Sequence, residues 1–167
     1  MSLDGQRVQP DRYTVVPRTL SFLIQDGHIL LLRIGEGRSA WSGRLNGVGG
    51  HIEQGESPEE AARREIFEET GLVANQLQLC GVVIVDPGSK PGISLAIFVG
   101  EPSSGTLKAS AEGVPEWIPI PGLKSEALVQ DLYEIIPRVL DCHARQAAFT
   151  ALTTFSQDGS PIIHFSP

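Results

Sequence analysis

The stretch from Ser57 to Gly71 constrains this chain more than any other part of it. Ser57-Pro58-Glu59-Glu60 reads as a helix start. Ser57 is the N-cap, Pro58 takes the first helical position, and Glu60 closes a capping box. Gly71 supplies the stop. The spacing therefore predicts a helix over 58–70. On a wheel of 100° per residue with Glu59 at zero, Glu68, Glu65 and Glu69 fall at about 180°, 240° and 280°. Ala61, at about 200°, leaves that arc open. Ala62, Ile66, Thr70 and Phe67 form the stripe expected to face the core. Glutamates at i, i+3 and i+4 repel by roughly a few tenths of a kcal/mol per pair. Glu68 and Glu69 also lie near the helix C-terminus, where the helix dipole disfavours anions. A hard divalent cation, Mg²⁺ or Mn²⁺, would compensate both penalties. A merely solvated acidic face is the plain alternative. The residues ahead of the helix favour a site: Gly47, Gly49 and Gly50 let the backbone approach a ligand or metal closely. Glu56, just before the cap, can pair with Arg64.

The rest of the chain reads as strands and turns. Tyr13–Ile24 is a strand interrupted at Pro17, Asp26-Gly27 is a hairpin turn, and Ile29–Arg33 is the return strand. Gly35–Gly43 is a loop. Leu77–Val85 and Ile93–Val99 suit central strands, with Pro87-Gly88 to Pro91-Gly92 turning between them. Trp117–Ile120 is a short strand. Ser125–Leu140 is mostly helical with a break near Pro137, and Phe149–Phe155 and Ile162–Phe165 close as a hairpin. This mixture predicts an α/β protein. At 167 residues and 41% hydrophobic, residues 1–167 suit a single domain, with the polar 1–12 flexible.

Charge and cysteine content narrow the function. No apolar run approaches the ~18–20 residues of a membrane span. The net charge of −7 disfavours binding to a nucleic-acid polymer or an anionic membrane surface. Cys80 and Cys142 are too few for a disulfide framework, and Cys80 reads as a small buried hydrophobe. The N-terminus lacks a signal-peptide pattern, so a cytoplasmic location is expected. Oligomeric state, monomer or homodimer, has no signature here.

Gly50, five residues, Glu56, seven residues, then Arg64-Glu65-Ile66-Phe67-Glu68-Glu69-Thr70-Gly71-Leu72 resembles the Nudix box at every defined position. Chance agreement is on the order of one in ten million. The resemblance implies a Nudix fold, an α/β/α sandwich around a mixed β-sheet, and Mg²⁺- or Mn²⁺-dependent hydrolysis of a phosphoanhydride. It implies that Glu65, Glu68 and Glu69 bind metal, that the Gly49 carbonyl is a further ligand, and that Glu56 and Arg64 brace the loop against the helix. Gly50 and Gly71 support the same arrangement.

Beyond the box the chain is similar to the MutT-like branch, which hydrolyses oxidised purine nucleoside triphosphates such as 8-oxo-dGTP. Asn46-Gly47-Val48-Gly49-Gly50 matches a segment whose Asn reads the base; a turn residue before glycine is the alternative. Glu112, five residues before Trp117, matches a further metal-binding or base glutamate. Asp131 matches an acid on the purine edge; a helix N-cap is the alternative. Two features depart from the branch: aliphatic Val129 and Leu132 stand where an aromatic could stack, and a second paired acid is missing. Arg33 is a candidate for phosphate oxygens or a surface arginine. Glu68 or Glu112 is the candidate general base. The predicted reaction gives nucleoside monophosphate and pyrophosphate. Pro87, about fifteen residues after the box, keeps a nucleotide-sugar substrate such as ADP-ribose as a rival, although the turn Pro87-Gly88 explains it equally. A non-catalytic ligand-sensing Nudix domain is the alternative from another class. Its usual degraded box and attached DNA-binding segment are not found here.

Overall fold

The computed structural model describes residues 11–37 and 40–166. The flexibility expected of residues 1–10 lies outside them. The strands are β1 (Val15–Gln25), β2 (His28–Ile34), β3 (Leu45–Asn46), β4 (Leu72–Ala74), β5 (Gln78–Val85), β6 (Gly92–Gly100), β7 (Pro102–Gly105), β8 (Gly113–Pro119), β9 (Phe149–Phe155) and β10 (Pro161–Phe165). The helices are α1 (Pro58–Thr70) and α2 (Leu132–Arg145), with a 3₁₀ turn over Ile120–Ser125.

Eight strands form one sheet in the order β10-β9-β5-β6-β1-β2-β3, with β8 along the other edge of β2. β1 runs parallel to β6 and β5 parallel to β9, while the other neighbours are antiparallel, so the sheet is mixed. Side chains alternate across it. Leu20, Phe22 and Ile24 of β1 pack with Leu132, Ile135, Ile136 and Val139 of α2. Leu23 faces the opposite way and packs with Leu30, Val48 and Ile66 of α1. One helix therefore covers each face, the expected α/β/α arrangement.

The β1–β2 hairpin turns at Asp26 and Gly27, with φ of 49° and 73°. Two consecutive positive φ values match the right-handed twist of the strands. Only Leu23–Gln25 pairs with β2. Below that the strands part, and the glycine loop fills the gap. Ser21 donates to the Val48 carbonyl at 2.6 Å and Thr19 to the Gly50 carbonyl at 2.9 Å. The box loop is thus an inserted piece of sheet, fixed to the fold's central strand.

Three expectations are corrected, and one strand pair goes beyond them. β1 runs through Pro17, whose carbonyl accepts the Ile52 N–H at 3.1 Å; the N–H that proline lacks faces the loop end of the pairing, not β6. α2 starts at Leu132 and continues through Pro137, because Leu132, Ile135, Ile136 and Val139 hold it on the sheet. Phe67 is 51% exposed, with the Lys108 Nζ 5.2 Å from its ring centre. β4 and β7 form a separate two-stranded sheet that the polar Pro102-Ser103-Ser104-Gly105 gives no pattern for. Cys80 and Cys142 are buried free thiols, and burial pushes the Cys80 pKa up, as suits a packed hydrophobe. No described helix is long and apolar enough to cross a membrane.

Candidate active site

The exposed Phe67 reflects how α1 is rolled. Its buried residues are Ala61, Ala62, Ile66, Glu69 and Thr70, so the inward face is centred closer to Glu69 than the apolar stripe predicts. The roll turns the Glu65–Glu69 edge onto the glycine loop. Glu69 is only 6% exposed, and its Oε2 accepts the Gly49 N–H at 3.0 Å. Burial pushes its pKa up to about 8; the Gly49 N–H opposes this, Glu65 and Glu112 add repulsion, and Arg18 offsets it. Glu112 and Arg18 are thus near enough to act on the Glu69 carboxylate through charge. Arg18 is a residue that sequence reasoning missed. Its signal is the one charge in strand β1, opposite His51 of the loop.

Glu65 is nearly as enclosed, with 14% of its side chain exposed. A Cβ on Gly50 would fall 2.2 Å from Glu65 Oε1, and one on Gly49 would fall 2.2 Å from the Thr19 carbonyl oxygen. Only glycine fits between the carboxylate and β1. Glu68 sits at the rim, its side chain 57% exposed.

Arg64 ties this assembly together. Its Nε and Nη2 donate to Glu56 Oε1 and Oε2 at 2.7 and 3.0 Å, and Nη2 also donates to the His51 carbonyl at 3.0 Å. Nη1 donates to Glu65 Oε1 at 2.9 Å and Glu68 Oε2 at 3.3 Å. The Arg64 hydrogen bonds hold the Glu56 pKa down at about 2, helped by the Glu53 N–H. The expected Glu56–Arg64 pair is therefore present, and it joins the loop, the helix cap and two box glutamates.

Among the described residues, no three His, Cys, Asp or Glu side chains stand in a finished ligand set. The donor chemistry nevertheless fits a hard divalent cation. Three carboxylates converge on one edge of α1, and the most buried of them has a single backbone donor. The carbonyls of Val48 and Gly50 bond to β1, so strand alternation turns that of Gly49 away from it. All of these donors are oxygens.

The base-side candidates lie along β3 and the start of α2. Asn46 Oδ1 accepts the Gly47 N–H at 2.9 Å, leaving the amide N–H groups as donors. Asp131 precedes α2 but makes no side-chain capping bond. Its Oδ1 is buried with no partner among the described residues, and burial pushes its pKa up against the pull of its own and the Leu132 N–H. Arg33 donates to Glu116 at 2.6 and 2.7 Å and to the Gly43 carbonyl at 3.1 Å. The structure therefore places its guanidinium in a tie between β2, β8 and the Gly35–Gly43 loop. Glu116 was another missed residue, visible only once the β2–β8 register is known. Pro87 lies in the β5–β6 turn, where Asp86 accepts the Gly88 N–H at 2.9 Å. A cleft of about 550 Å³ lined by Asn75, Gln78, Glu101, His143 and Gln146 shares no residue with this site.

A mixed sheet between two helices, with a glutamate-bearing helix edge docked on a glycine loop, is a defined class of α/β architecture. The crystal structure of the mutator MutT protein from Bacillus halodurans shares the fold, with a TM-score of 0.78 and 23% identity over 92% of this chain and 99% of that one. The Nudix domain family model matches residues 16–139, and the chain belongs to the Nudix family. It is 35% identical over 103 residues to the oxidized purine nucleoside triphosphate hydrolase of Danio rerio, covering 61% of this chain and 65% of the relative. The Mus musculus protein of the same name is 35% identical over 100 residues, covering 59% and 63%. The match thus spans just under two thirds of those relatives.

Proposed function

We propose that the protein hydrolyses a nucleoside triphosphate, best fitted by an oxidised purine deoxynucleotide such as 8-oxo-dGTP, to the monophosphate and pyrophosphate. The observation that carries the chemistry is the pair of enclosed carboxylates, Glu65 and Glu69, packed on Gly49 and Gly50. Mg²⁺ or Mn²⁺ would be held by Glu65, Glu68 and Glu69, with the Gly49 carbonyl and Glu112 completing the set. When bound, the cation neutralises the triphosphate and polarises its phosphoryl oxygens for attack by water. Arg64 and Glu56 keep the loop and helix in register. Glu68, at the exposed rim, or Glu112 accepts the proton of the attacking water.

The base choice rests on Asn46 and Asp131. Asn46 offers N–H donors, and the buried Asp131 Oδ1 lacks the partner that a purine edge would supply. Both relatives named above are oxidized purine nucleoside triphosphate hydrolases, which supports the same substrate class. Arg33 contributes by holding the Gly43 loop. Residues 1–167 act as one domain on a small cytoplasmic nucleotide in this reading, with no nucleic-acid polymer or membrane required. A panel of ordinary triphosphates, oxidised triphosphates and ADP-ribose, each with Mg²⁺, tests it through pyrophosphate and phosphate release. The expected result is pyrophosphate from an oxidised purine triphosphate at the highest kcat/KM. Turnover of ADP-ribose alone would overturn the substrate class.

A further inference from the structure

A short bridge outside the named strands joins the segments that carry Asn46 and Asp131. Residues 127–129 lie parallel to β3, with Leu45 donating to the Ala127 carbonyl at 2.8 Å and Val129 donating to the Leu45 carbonyl at 2.9 Å. Leu45 adjoins Asn46, and Val129 lies two residues before Asp131. This bridge therefore ties the chain one residue before Asn46 to the chain two residues before Asp131. Two backbone bonds to β3 are a thin attachment for a segment that follows a 3₁₀ turn.

Side chains strengthen it. The Tyr133 hydroxyl donates to the Glu126 carbonyl at 2.7 Å and accepts the Leu128 N–H at 3.2 Å. From the other side, Arg44 Nη1 donates to the Leu128 carbonyl at 3.0 Å. The Leu128 N–H is shared between Tyr133 and the Glu126 carbonyl, at 3.0 Å from the latter, and the Leu128 carbonyl is held by Arg44, so side chains from α2 and from the residue before β3 reach both of its peptide groups. The Leu128 side chain is itself 2% exposed in the core, which fixes its position in the third direction. Tyr133 is 43% exposed and Arg44 reaches across a gap in sequence of 84 residues, so neither is placed there by core packing alone.

We infer that Tyr133 and Arg44 are positioning residues that clamp the 126–129 segment onto β3 and so set the Asn46–Asp131 gap that selects the base. The inference rests on the nucleotide reading above. The clamp makes no hydrogen bond to the box glutamates or to Gly49 and Gly50, on which they pack, so it governs KM and base selectivity and not kcat. Tyr133→Phe removes only the hydroxyl. Arg44→Gln removes the guanidinium, and Arg44→Lys restores a donor.

Steady-state kinetics on 8-oxo-dGTP and dGTP, together with amide hydrogen exchange at Leu45 and Val129, test it. Loss of one such bond corresponds to a change of roughly 3- to 10-fold. Tyr133→Phe and Arg44→Gln are expected to raise KM for 8-oxo-dGTP by about that factor and to shrink its advantage over dGTP, with kcat unchanged. Exchange at Val129 should quicken by a similar factor, and Arg44→Lys should recover part of each loss. Equal falls in kcat for both nucleotides, or selectivity and exchange unchanged in both variants, overturn the clamp. A wild-type enzyme with no preference for 8-oxo-dGTP overturns the substrate reading instead; unchanged Val129 exchange would then overturn the clamp separately.

Discussion

A carboxylate as enclosed as Glu69 is costly to ionise with one N–H donor beside it. Two more acids, Glu65 and Glu112, raise that cost further. A bound divalent cation would reverse the balance, because it would turn repelling groups into ligands. Glu69→Gln and Glu65→Gln should therefore keep the fold yet lose activity by roughly 100-fold or more. Added Mg²⁺ should raise the melting temperature of the wild type and leave Glu69→Gln unmoved. Near-normal turnover in both variants would remove the metal assignment. Glu56 behaves in the opposite way. Arg64 holds its pKa at about 2, below the ordinary value of 4.5. A depressed carboxylate contributes stability that is fully present above its ordinary pKa and lost as pH falls through the depressed one. The melting-temperature gap between wild type and Glu56→Gln should thus be constant above about pH 5 and close between pH 4.5 and 2. The glutamates were legible in the sequence because a helix repeats every 3.6 residues, which puts i, i+3 and i+4 together. Arg18 and Glu116 were not, because a lone charge on a strand has no visible partner until the strand register is known.

Helix α1 is stabilised by devices at its two ends, and they can be separated. At the start, Ser57 Oγ accepts the Glu60 N–H at 3.3 Å and Glu60 accepts the Ser57 N–H at 2.8 Å. Ser57→Ala should cost about 1 kcal/mol, a fall of roughly 2–4 °C in melting temperature for a chain of this size. Activity at 25 °C should hold, since Glu65–Glu69 lie two turns away. At the far end Gly71 has a φ of 75°, and a Cβ there would fall 2.5 Å from the Thr106 carbonyl oxygen. Gly71→Ala should therefore cost more than Ser57→Ala, well beyond about 1 kcal/mol, and it should loosen the glutamate end. Urea midpoints for the two variants, with kcat measured alongside, give the comparison; equal midpoints would contradict it. These local devices are why both ends of α1 could be placed from sequence to the residue. α2 offered no such signals: Asp131 makes no side-chain cap, and Pro137 stays within the helix because sheet contacts outweigh its missing N–H. The roll of α1 was equally hidden. It depends on the glycine loop wedged between β1 and β2, a tertiary feature that helical periodicity does not encode.

For the whole molecule the distribution of charge matters more than its sum. Glu53 to Glu69 holds seven glutamates and two arginines, a net of −5 out of −7 for the chain. The remaining residues hold 13 acids and 11 bases, a net of −2. The surplus is therefore concentrated where a triphosphate would bind, and both partners are anionic. A basic phosphate site and this acidic one differ in the sign of their response to salt. At a basic site salt screens attraction and weakens binding. Here, with metal chelated, salt screens repulsion and should strengthen whatever binding remains. With Mg²⁺ bound, a cation would stand between the two sets of negative charge and attract the phosphates directly, so salt should weaken binding in the ordinary way. Calorimetric titration of a non-hydrolysable triphosphate in EDTA should give a Kd at least ~10-fold weaker than in Mg²⁺, a difference of about 1.4 kcal/mol or more. Raising NaCl from 50 to roughly 500 mM shortens the screening length from above 10 Å to about 4 Å. Over that range the EDTA and Mg²⁺ affinities should converge. If salt weakens binding equally in both buffers, basic side chains and not a cation hold the phosphates, and the acidic helix face is only solvated surface.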